Sequence, residues 1–406
     1  MSSDLVQLQE MEPALLVEQA RNLGVRNADA LHRRDLVYSI AAAEAEAENT
    51  TLGRGVLEVH GEGFGFLRSP DTNYLPGSDD IYVSQSQIRR FKLQTGDTVI
   101  GQVRPPKEGE RYLALLRVLL VNSDRPGVDA PSFETLTAIY PDDRIQLGAY
   151  PLLSAVDRVA PLGLGQRGVL AAPARTGRVG MLRELCDALT ADEDLDVTVL
   201  LIDERPEEIQ EWRKHSKAEI IATPFDEPPA RHVQVADIVF ERARRMVERG
   251  DDVVLIVDSL SRLLRGCLSD TATGERHGGG VDTAALHRVR RYMGAARALE
   301  EGGSLTVIGV VSGDSNNPID AALLDDLRDV VNWECTLSTT LANRGLRPPI
   351  DVHRSGTRRV ERLLTDAEHT AYLQWRKSLT GDDLEDGHAL LAWSAPALDS
   401  AVGSGN

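Results

Sequence analysis

The stretch Arg167 to Leu189, RGVLAAPARTGRVGMLRELCDAL, decides how this chain is read. Gly168 to Ala172 is an apolar run of strand length, Pro173 to Gly177 is a loop of small and turn-forming residues, and a helical pattern opens at Arg178. Strand, loop and helix in that order are the setting of a P-loop, where backbone N–H groups and a helix N-terminus face phosphate. Two positions depart from that chemistry. Where the motif has G-K-[ST], this chain has Gly177-Arg178-Val179. Arg178 keeps the charge but carries it on a planar fork rather than a compact ammonium. Val179 has no hydroxyl for Mg2+.

Downstream the pattern is α/β. Apolar strands are expected at Val197 to Ile202, Asp252 to Asp258 and Ser304 to Val311, with a helix over about Pro229 to Arg249 between the first two. Such alternation predicts a parallel sheet with helices on both faces, and ligands bind at the carboxyl ends of its strands. Asp203, Glu204 and Asp258 stand at those ends. Asp258 has the position of a Walker-B carboxylate, and Glu204 is placed to orient an attacking water. Either carboxylate alone reads equally well as a cap for the next helix.

Upstream, about Glu12 to Ala47 reads as short helices forming a small module with a core of its own. Leu15, Leu16, Ala20 and Leu23 fall at helical spacing. From Gly55 to about Asn122 the segments GVLEVHGEGFGFLRS, DDIYVS, DTVIGQVRPP and YLALLRVLLVN are short strands of a small β-barrel. Strand alternation puts Phe64 and Phe66 on one face, where flanking glycines leave room for flat groups to stack. The other reading makes both rings barrel core. Arg68, Tyr82, Arg111 and Tyr112 supply further aromatic and cationic partners.

The net charge of −18 argues against a general nucleic-acid binder but allows a local arginine-lined site. No lysine lies between Lys107 and Lys214 to replace the one missing from the loop. Cys186, Cys267 and Cys335 are scattered without metal-ligand spacing and read as buried free thiols of a reducing cytoplasm. No apolar run approaches the ~18 residues of a membrane span, and the N-terminus lacks a signal-peptide pattern.

DDIYVSQSQIRRF (79–91), GQVRPPKEGERY (101–112), LLIDERPEE (200–208), FDEPPARHVQVAD (225–237), VDTAALHR (281–288), GAARALEEGGSLT (294–306) and RSGTRR (354–359) together resemble the bacterial transcription termination factor Rho family. The match runs through nearly the whole chain in one order. It implies a multidomain fold: a small all-α N-terminal module (1–50), an OB/cold-shock-like β-barrel that binds RNA (51–122), a linker (123–152) and an α/β RecA-like P-loop domain with a parallel sheet (153–394). The tail (395–406) is expected to be disordered. The implied partners are single-stranded RNA, RNA polymerase and further copies of the chain, in a homo-hexamer or in a mixed ring with a paralogue. No membrane is implied, and a cytoplasmic location is.

The resemblance also carries roles residue by residue. The primary RNA site falls on Phe64, Phe66, Arg68, Asp80, Tyr82, Glu110, Arg111 and Tyr112, to stack bases or hydrogen-bond their edges. Glu204 matches the water-positioning glutamate, Asp258 the Mg2+-associated aspartate, Arg205 an arginine reaching the γ-phosphate, and Arg358 the arginine finger of a neighbouring subunit. ATP would be held by Gly163, Gly165, Gln166, Arg167, Gly168, Arg175, Thr176, Gly177, Arg178, Val179, Gly180 and Arg205.

The departures cluster in the motor. Arg175 and Arg178 stand where the family has lysines, and Val179 where it has the Mg2+-binding threonine. Gly180 and Arg347 replace the two apolar walls of the adenine pocket. At pore-facing loops Glu275 and Pro318 replace lysines, and Asp329, Val330 and Val331 replace Gly-Thr-Gly, with Arg276 and Arg328 as partial compensation. ATP and Mg2+, the cofactors the resemblance implies, are thus the part the sequence least supports. The expectation is an RNA-binding ring member with weakened or lost hydrolysis and translocation. The alternatives are a fully active RNA-dependent ATPase and helicase, and a non-catalytic modulator of an active paralogue.

Overall fold

The computed structural model describes residues 5–31, 33–128, 130–270, 281–313 and 317–393. They form two compact units, one running to Phe133 and including Gln234–Glu248, the other made of Glu134–Val233 and the residues from Arg249 onward. Among the described residues no helix is long and apolar enough to cross a membrane. Cys186, Cys267 and Cys335 are buried thiols, as their scattered spacing suggests.

In the first unit five strands close into a barrel of the OB kind: β1 (Thr51–Val59), β2 (Gly65–Arg68), β3 (Ile81–Val83), β4 (Thr98–Arg104) and β5 (Leu113–Val121), in the order β1-β2-β3-β5-β4. Only β3 and β5 pair in parallel. Alternation sends Leu57, Leu67, Ile81, Val83, Val99, Val103, Leu115 and Val118 inward as the barrel core. Helices Leu5–Glu10, Pro13–Asn22 and Arg33–Ala47 precede it.

The expectation that this helical module has a core of its own is corrected by the packing. Leu8, Leu16, Ala20, Leu36, Val37, Ile40 and Ala41 form one cluster with Ile100 of β4 and Leu120 of β5. Three short helices expose more apolar stripe than they can cover among themselves, so the outer wall of the barrel completes the core. A register shift makes that wall: Ile100 pairs with Leu120 but Gly101 with Val118, so Leu119 is an extra residue and Leu120 turns outward beside Ile100.

Gly96, before β4, has φ +95°, and a Cβ there would stand 2.6 Å from the backbone N of Arg242. Gly96→Ala is therefore expected to cost about 2 kcal/mol or more in a denaturant titration, from left-handed strain plus the clash. A loss under about 0.5 kcal/mol, typical of neutral surface changes, would refute that close approach.

The second unit is built on a nine-stranded sheet. Its strands are β6 (Ala138–Ile139), β7 (Arg167–Ala171), β8 (Leu195–Glu204), β9 (Glu219–Pro224), β10 (Asp252–Asp258), β11 (Arg297–Leu299), β12 (Ser304–Val311), β13 (Trp333–Thr336) and β14 (Gly356–Thr357). The main order is β14-β13-β7-β12-β10-β8-β9, with β11 and β6 continuing from β12. From β13 to β9 all neighbours are parallel, and β14 is an antiparallel edge. Every residue of β12 is buried, as its unbroken apolar run requires in a sheet covered on both faces. Between β7 and β8 in sequence the chain crosses β12 and β10 in space. In such sheets ligands bind at the carboxyl ends of the strands beside crossovers of this kind.

Candidate nucleotide and RNA sites

The loop expected to face phosphate leaves the carboxyl end of β7 and enters helix Arg178–Leu189. Arg175 (φ 66°) and Gly177 (φ 85°) are left-handed, which turns the chain sharply into the helix. Thr176 is buried and its hydroxyl donates to Pro173 O (2.7 Å). Gly177 caps the helix without a side-chain bond, and the first turn carries no acidic residue. The first N–H groups of the helix therefore lack a side-chain acceptor, and the positive end of its dipole carries no competing carboxylate.

Asp258 closes β10 and is almost fully buried. Its Oδ2 lies 3.5 Å from the Arg178 guanidinium, while Oδ1 is buried with no hydrogen-bond partner. Burial pushes its carboxyl above the ordinary range, and Arg178 and then Arg262 oppose that. Next to it, Glu204 at the end of β8 accepts from Arg262 Nη1 (2.6 Å) through one oxygen and from its neighbour's N–H, Arg205 N (3.0 Å), through the other. Arg205 is exposed and begins helix Pro206–His215. Val179 and Gly180 follow in the first turn, with an open space beside Gly180 bounded by Leu152. Arg347 is exposed, in the segment before the short bridge at Ile350.

These residues do not fit a divalent cation. Asp258 already has a permanent positive charge beside it, and an isopropyl group stands where a ligand hydroxyl is needed. Among the described residues no group of three or more His, Cys, Asp or Glu side chains is placed to hold a metal. The backbone of the loop and helix, by contrast, fits the phosphates of a nucleotide.

A pH dependence follows from the buried carboxylate. Because its folded pKa lies above its unfolded one, the native state binds more protons between those two values, and stability falls as pH rises through that window. Asp258→Asn, which cannot titrate, is expected to remove part of that fall, so the variant gains on the parent as pH rises above the ordinary carboxylate range. Chemical unfolding at several pH values checks this, and a variant that loses ground as pH rises would contradict it.

The remaining predicted nucleotide residues lie elsewhere in the same unit. Gly163, Gly165, Gln166, Arg167 and Gly168 lead into β7 at its amino end. Gly163 N donates to Gln166 Oε1 (2.9 Å), and Gly165 N to Thr306 Oγ1 (2.8 Å). Arg167 donates to Val330 O and Ala296 O, and its guanidinium is lowered by burial and by the charges of Arg297 and Arg358. Gly168 leaves space for the indole of Trp333 on the adjoining strand. Arg358 follows β14 and donates to Arg328 O (2.7 Å). Arg167 and Arg358 thus stand at the amino end of the sheet, one length of β7, roughly 15 Å, from the loop of their own chain.

Of the pore-loop positions, Glu275 and Arg276 lie outside the described residues, as does the tail. Pro318 opens helix Pro318–Leu327, and Asp329, Val330 and Val331 form the turn after it, with Val331 buried. Arg328 pairs with Asp325 (2.8 Å).

The RNA-site candidates lie on the barrel. Phe66 pairs across strands with Glu58 and Tyr82, while its neighbour Leu67 points into the core. The alternative that Phe64 and Phe66 are core is thereby excluded: both rings are half-buried on the outer face and belong to no core cluster. Phe64 and Phe66 meet edge to face at 5.8 Å, Tyr82 lies 5.8 Å from Phe64 and 6.0 Å from Phe66, and Tyr112 stands 4.9 Å from Phe66.

Beneath them Arg68 is buried, with its guanidinium 5.1 Å from the centre of the Phe66 ring. It is held by Glu58 (2.8 Å) and by a short bond to Asp80, which also accepts from Gly77 N. Burial raises the Asp80 carboxyl, against the Gly77 bond and the charge of Arg68. Arg68 and Asp80 brace the platform from below, and Phe64, Phe66, Tyr82 and Tyr112 offer the open faces. At the rim Arg104 grips Glu110 in a two-pronged pair (2.6 and 2.9 Å), which with the Lys107 N–H holds its carboxyl down to about 2. Arg111 leans over Tyr112 at 5.4 Å.

Two further residues, His60 and Arg262, join these groups without a motif of their own. His60 stacks on Phe64 at 5.4 Å, nearly parallel, and meets Phe66 edge-on. Its place opposite Phe64 in the hairpin HGEGF was the available signal. Arg262, in the first turn after the Asp258 strand, was signalled only by that position.

Two family models match the chain: the Rho termination factor RNA-binding domain over residues 53–127, and the ATP synthase alpha/beta family nucleotide-binding domain over residues 153–357. Among full-length relatives, the transcription termination factor Rho of Haemophilus influenzae is 45% identical over 90% of this chain and 87% of its own length. The Rho proteins of Escherichia coli K12 and Pseudomonas aeruginosa are each 42% identical over 90% of both chains. Of solved structures, an ATPase from the type III secretion system of pathogenic bacteria aligns with TM-score 0.54 and 23% identity over 63% of this chain and 78% of its own. The assembled ATPase EscN of enteropathogenic E. coli aligns with TM-score 0.54 and 21% identity over 70% and 73%. Those two likenesses speak for the fold, whereas the relatives' identity and coverage decide kinship: this chain belongs to the transcription termination factor Rho family.

Proposed function

We propose that this chain is an RNA-binding, ring-forming member of the Rho family in which ATP hydrolysis and translocation are weakened or lost. The observation that carries the reading is a contrast. The aromatic platform of Phe64, Phe66, Tyr82 and Tyr112 is complete and braced from below by Arg68, whereas in the nucleotide cleft Arg178 pairs with the carboxylate that would serve a metal. Single-stranded RNA is held by stacking of its bases on those rings, with Arg111 and Glu110 available at the rim for base edges and phosphate.

The placement of Arg358, Arg167 and the Gly163–Gly168 segment at the amino end of the sheet supports a ring. They stand a strand length from the loop of their own chain, so any role toward nucleotide is played on a neighbour's. A homo-hexamer, or a mixed ring with an active paralogue that this copy would modulate, provides that neighbour. RNA polymerase enters as a partner through kinship. One observation favours the other reading, a fully active RNA-dependent ATPase: Glu204 is held by Arg262 and Arg205 N beside Asp258, poised as a water-orienting carboxylate requires.

The deciding experiment pairs two measurements on the full chain. Binding of pyrimidine-rich single-stranded RNA is expected, together with no RNA-stimulated release of phosphate from ATP. Stimulated turnover overturns the weakened motor, and absence of RNA binding overturns the platform.

A further inference from the structure

We propose that the phosphate cradle of this chain binds nucleoside di- and triphosphates without a divalent cation, with Arg178 as the resident positive charge where a metal would otherwise stand. The inference rests on the reading of the cleft as a nucleotide site whose hydrolytic chemistry is lost, and it names that site's ligand state. Three features converge on it. The helix beginning at Arg178 has a side-chain-free cap and no acidic residue in its first turn, so its leading N–H groups are open to an anion. Asp258 is buried, one oxygen 3.5 Å from Arg178 and the other without any hydrogen-bond partner, so Arg178 is the cation paired with this carboxylate. Val179 supplies no oxygen to a metal.

A guanidinium cannot be deprotonated in a protein, so the positive charge beside Asp258 is permanent. A divalent ion brought to the same carboxylate would meet like charge across a few ångströms with one fewer protein ligand to hold it. The same guanidinium is partly exposed and presents a fork suited to phosphate oxygens, so it can face Asp258 and share itself with an incoming phosphate. Binding then needs no metal to screen the phosphates from Asp258.

The test uses the full chain and a fluorescent ADP or ATP analogue, with inorganic tripolyphosphate as competitor. Affinity is expected to change by less than about twofold when EDTA replaces Mg2+. In Arg178→Lys/Val179→Thr, which restores a compact ammonium and a hydroxyl, Mg2+ is expected to tighten binding at least about tenfold. Asp258→Asn is expected to bind at least as tightly as the parent, because it releases Arg178. Unchanged RNA binding on the barrel verifies that each variant is intact.

Parent binding that requires Mg2+, binding lost in Asp258→Asn, or no binding of nucleotide or tripolyphosphate under either condition overturns the proposal. Phosphate release assayed in the same samples separates the two ideas. Turnover overturns the weakened motor without touching metal-free binding, and Mg2+-dependent binding without turnover overturns only the resident cation.

Discussion

Replacing Phe64 and Phe66 together by alanine is expected to weaken binding of single-stranded RNA by roughly 30-fold to 10⁴-fold. Base stacking on an aromatic side chain contributes about 1–3 kcal/mol per base, and two such faces are removed. The geometry argues for the upper part of that range. Phe66 touches the rings of Phe64, Tyr82, Tyr112 and His60 and rests on Arg68, so its loss also releases the neighbours it orients. The barrel should survive, because neither ring belongs to the core cluster of Leu57, Leu67, Ile81 and Val83. Fluorescence anisotropy with a labelled pyrimidine oligonucleotide reads the affinity, and circular dichroism reads the fold. The salt slope supplies a further check: the substitutions remove stacking but no charge, so affinity falls while its dependence on salt stays the same. A folded double variant with parental affinity would remove the platform from RNA binding.

RNA-stimulated phosphate release is expected to lie at least about 10³-fold below that of an intact P-loop motor, since loss of a single charge-stabilising arginine finger already costs that much. Here the compact ammonium and the metal-holding hydroxyl are replaced together, in a reaction that depends on positioning and charge. Arg178 lies 3.5 Å from Asp258 and spreads its charge over a planar fork, so it does not reproduce the compact ammonium of a lysine. Elsewhere the cleft is orderly: Glu204 is held by Arg262 at 2.6 Å, and Arg205 begins the next helix. The expected loss is traced to Arg178 and Val179 beside Asp258, and a Cβ at Gly180 would meet Leu152 at 3.7 Å. A phosphate-release assay with saturating RNA settles the point. Turnover within about tenfold of a working motor would mean that Arg178 swings to the phosphates and performs the lysine's task.

Much of the fold was legible because it is encoded by local patterns. Continuous apolar runs such as Val197 to Ile202 and Ser304 to Val311 can only be central strands covered on both faces, and they are. The alternation around Phe64 and Phe66 exposed the stacking face but left open which side of the barrel it occupied. Leu67, buried in the core between Phe66 and Arg68, decides that. From sequence the helical module reads as self-sufficient, because the outward turn of Leu120 depends on a register shift between β4 and β5, which no single strand announces.

By itself the sequence determined the order of elements, the strand–loop–helix cradle, the missing lysine and hydroxyl, and the family. These are properties of neighbouring residues, written in periodicity and residue type. Only the tertiary structure decided what the altered residues do: Arg178 meets Asp258, Arg262 takes Glu204, His60 joins the aromatic stack, and Arg358 stands at the end of the sheet away from its own phosphate loop. Each of these joins residues on different elements, and their distance is set by how strands stack side by side and where their ends fall.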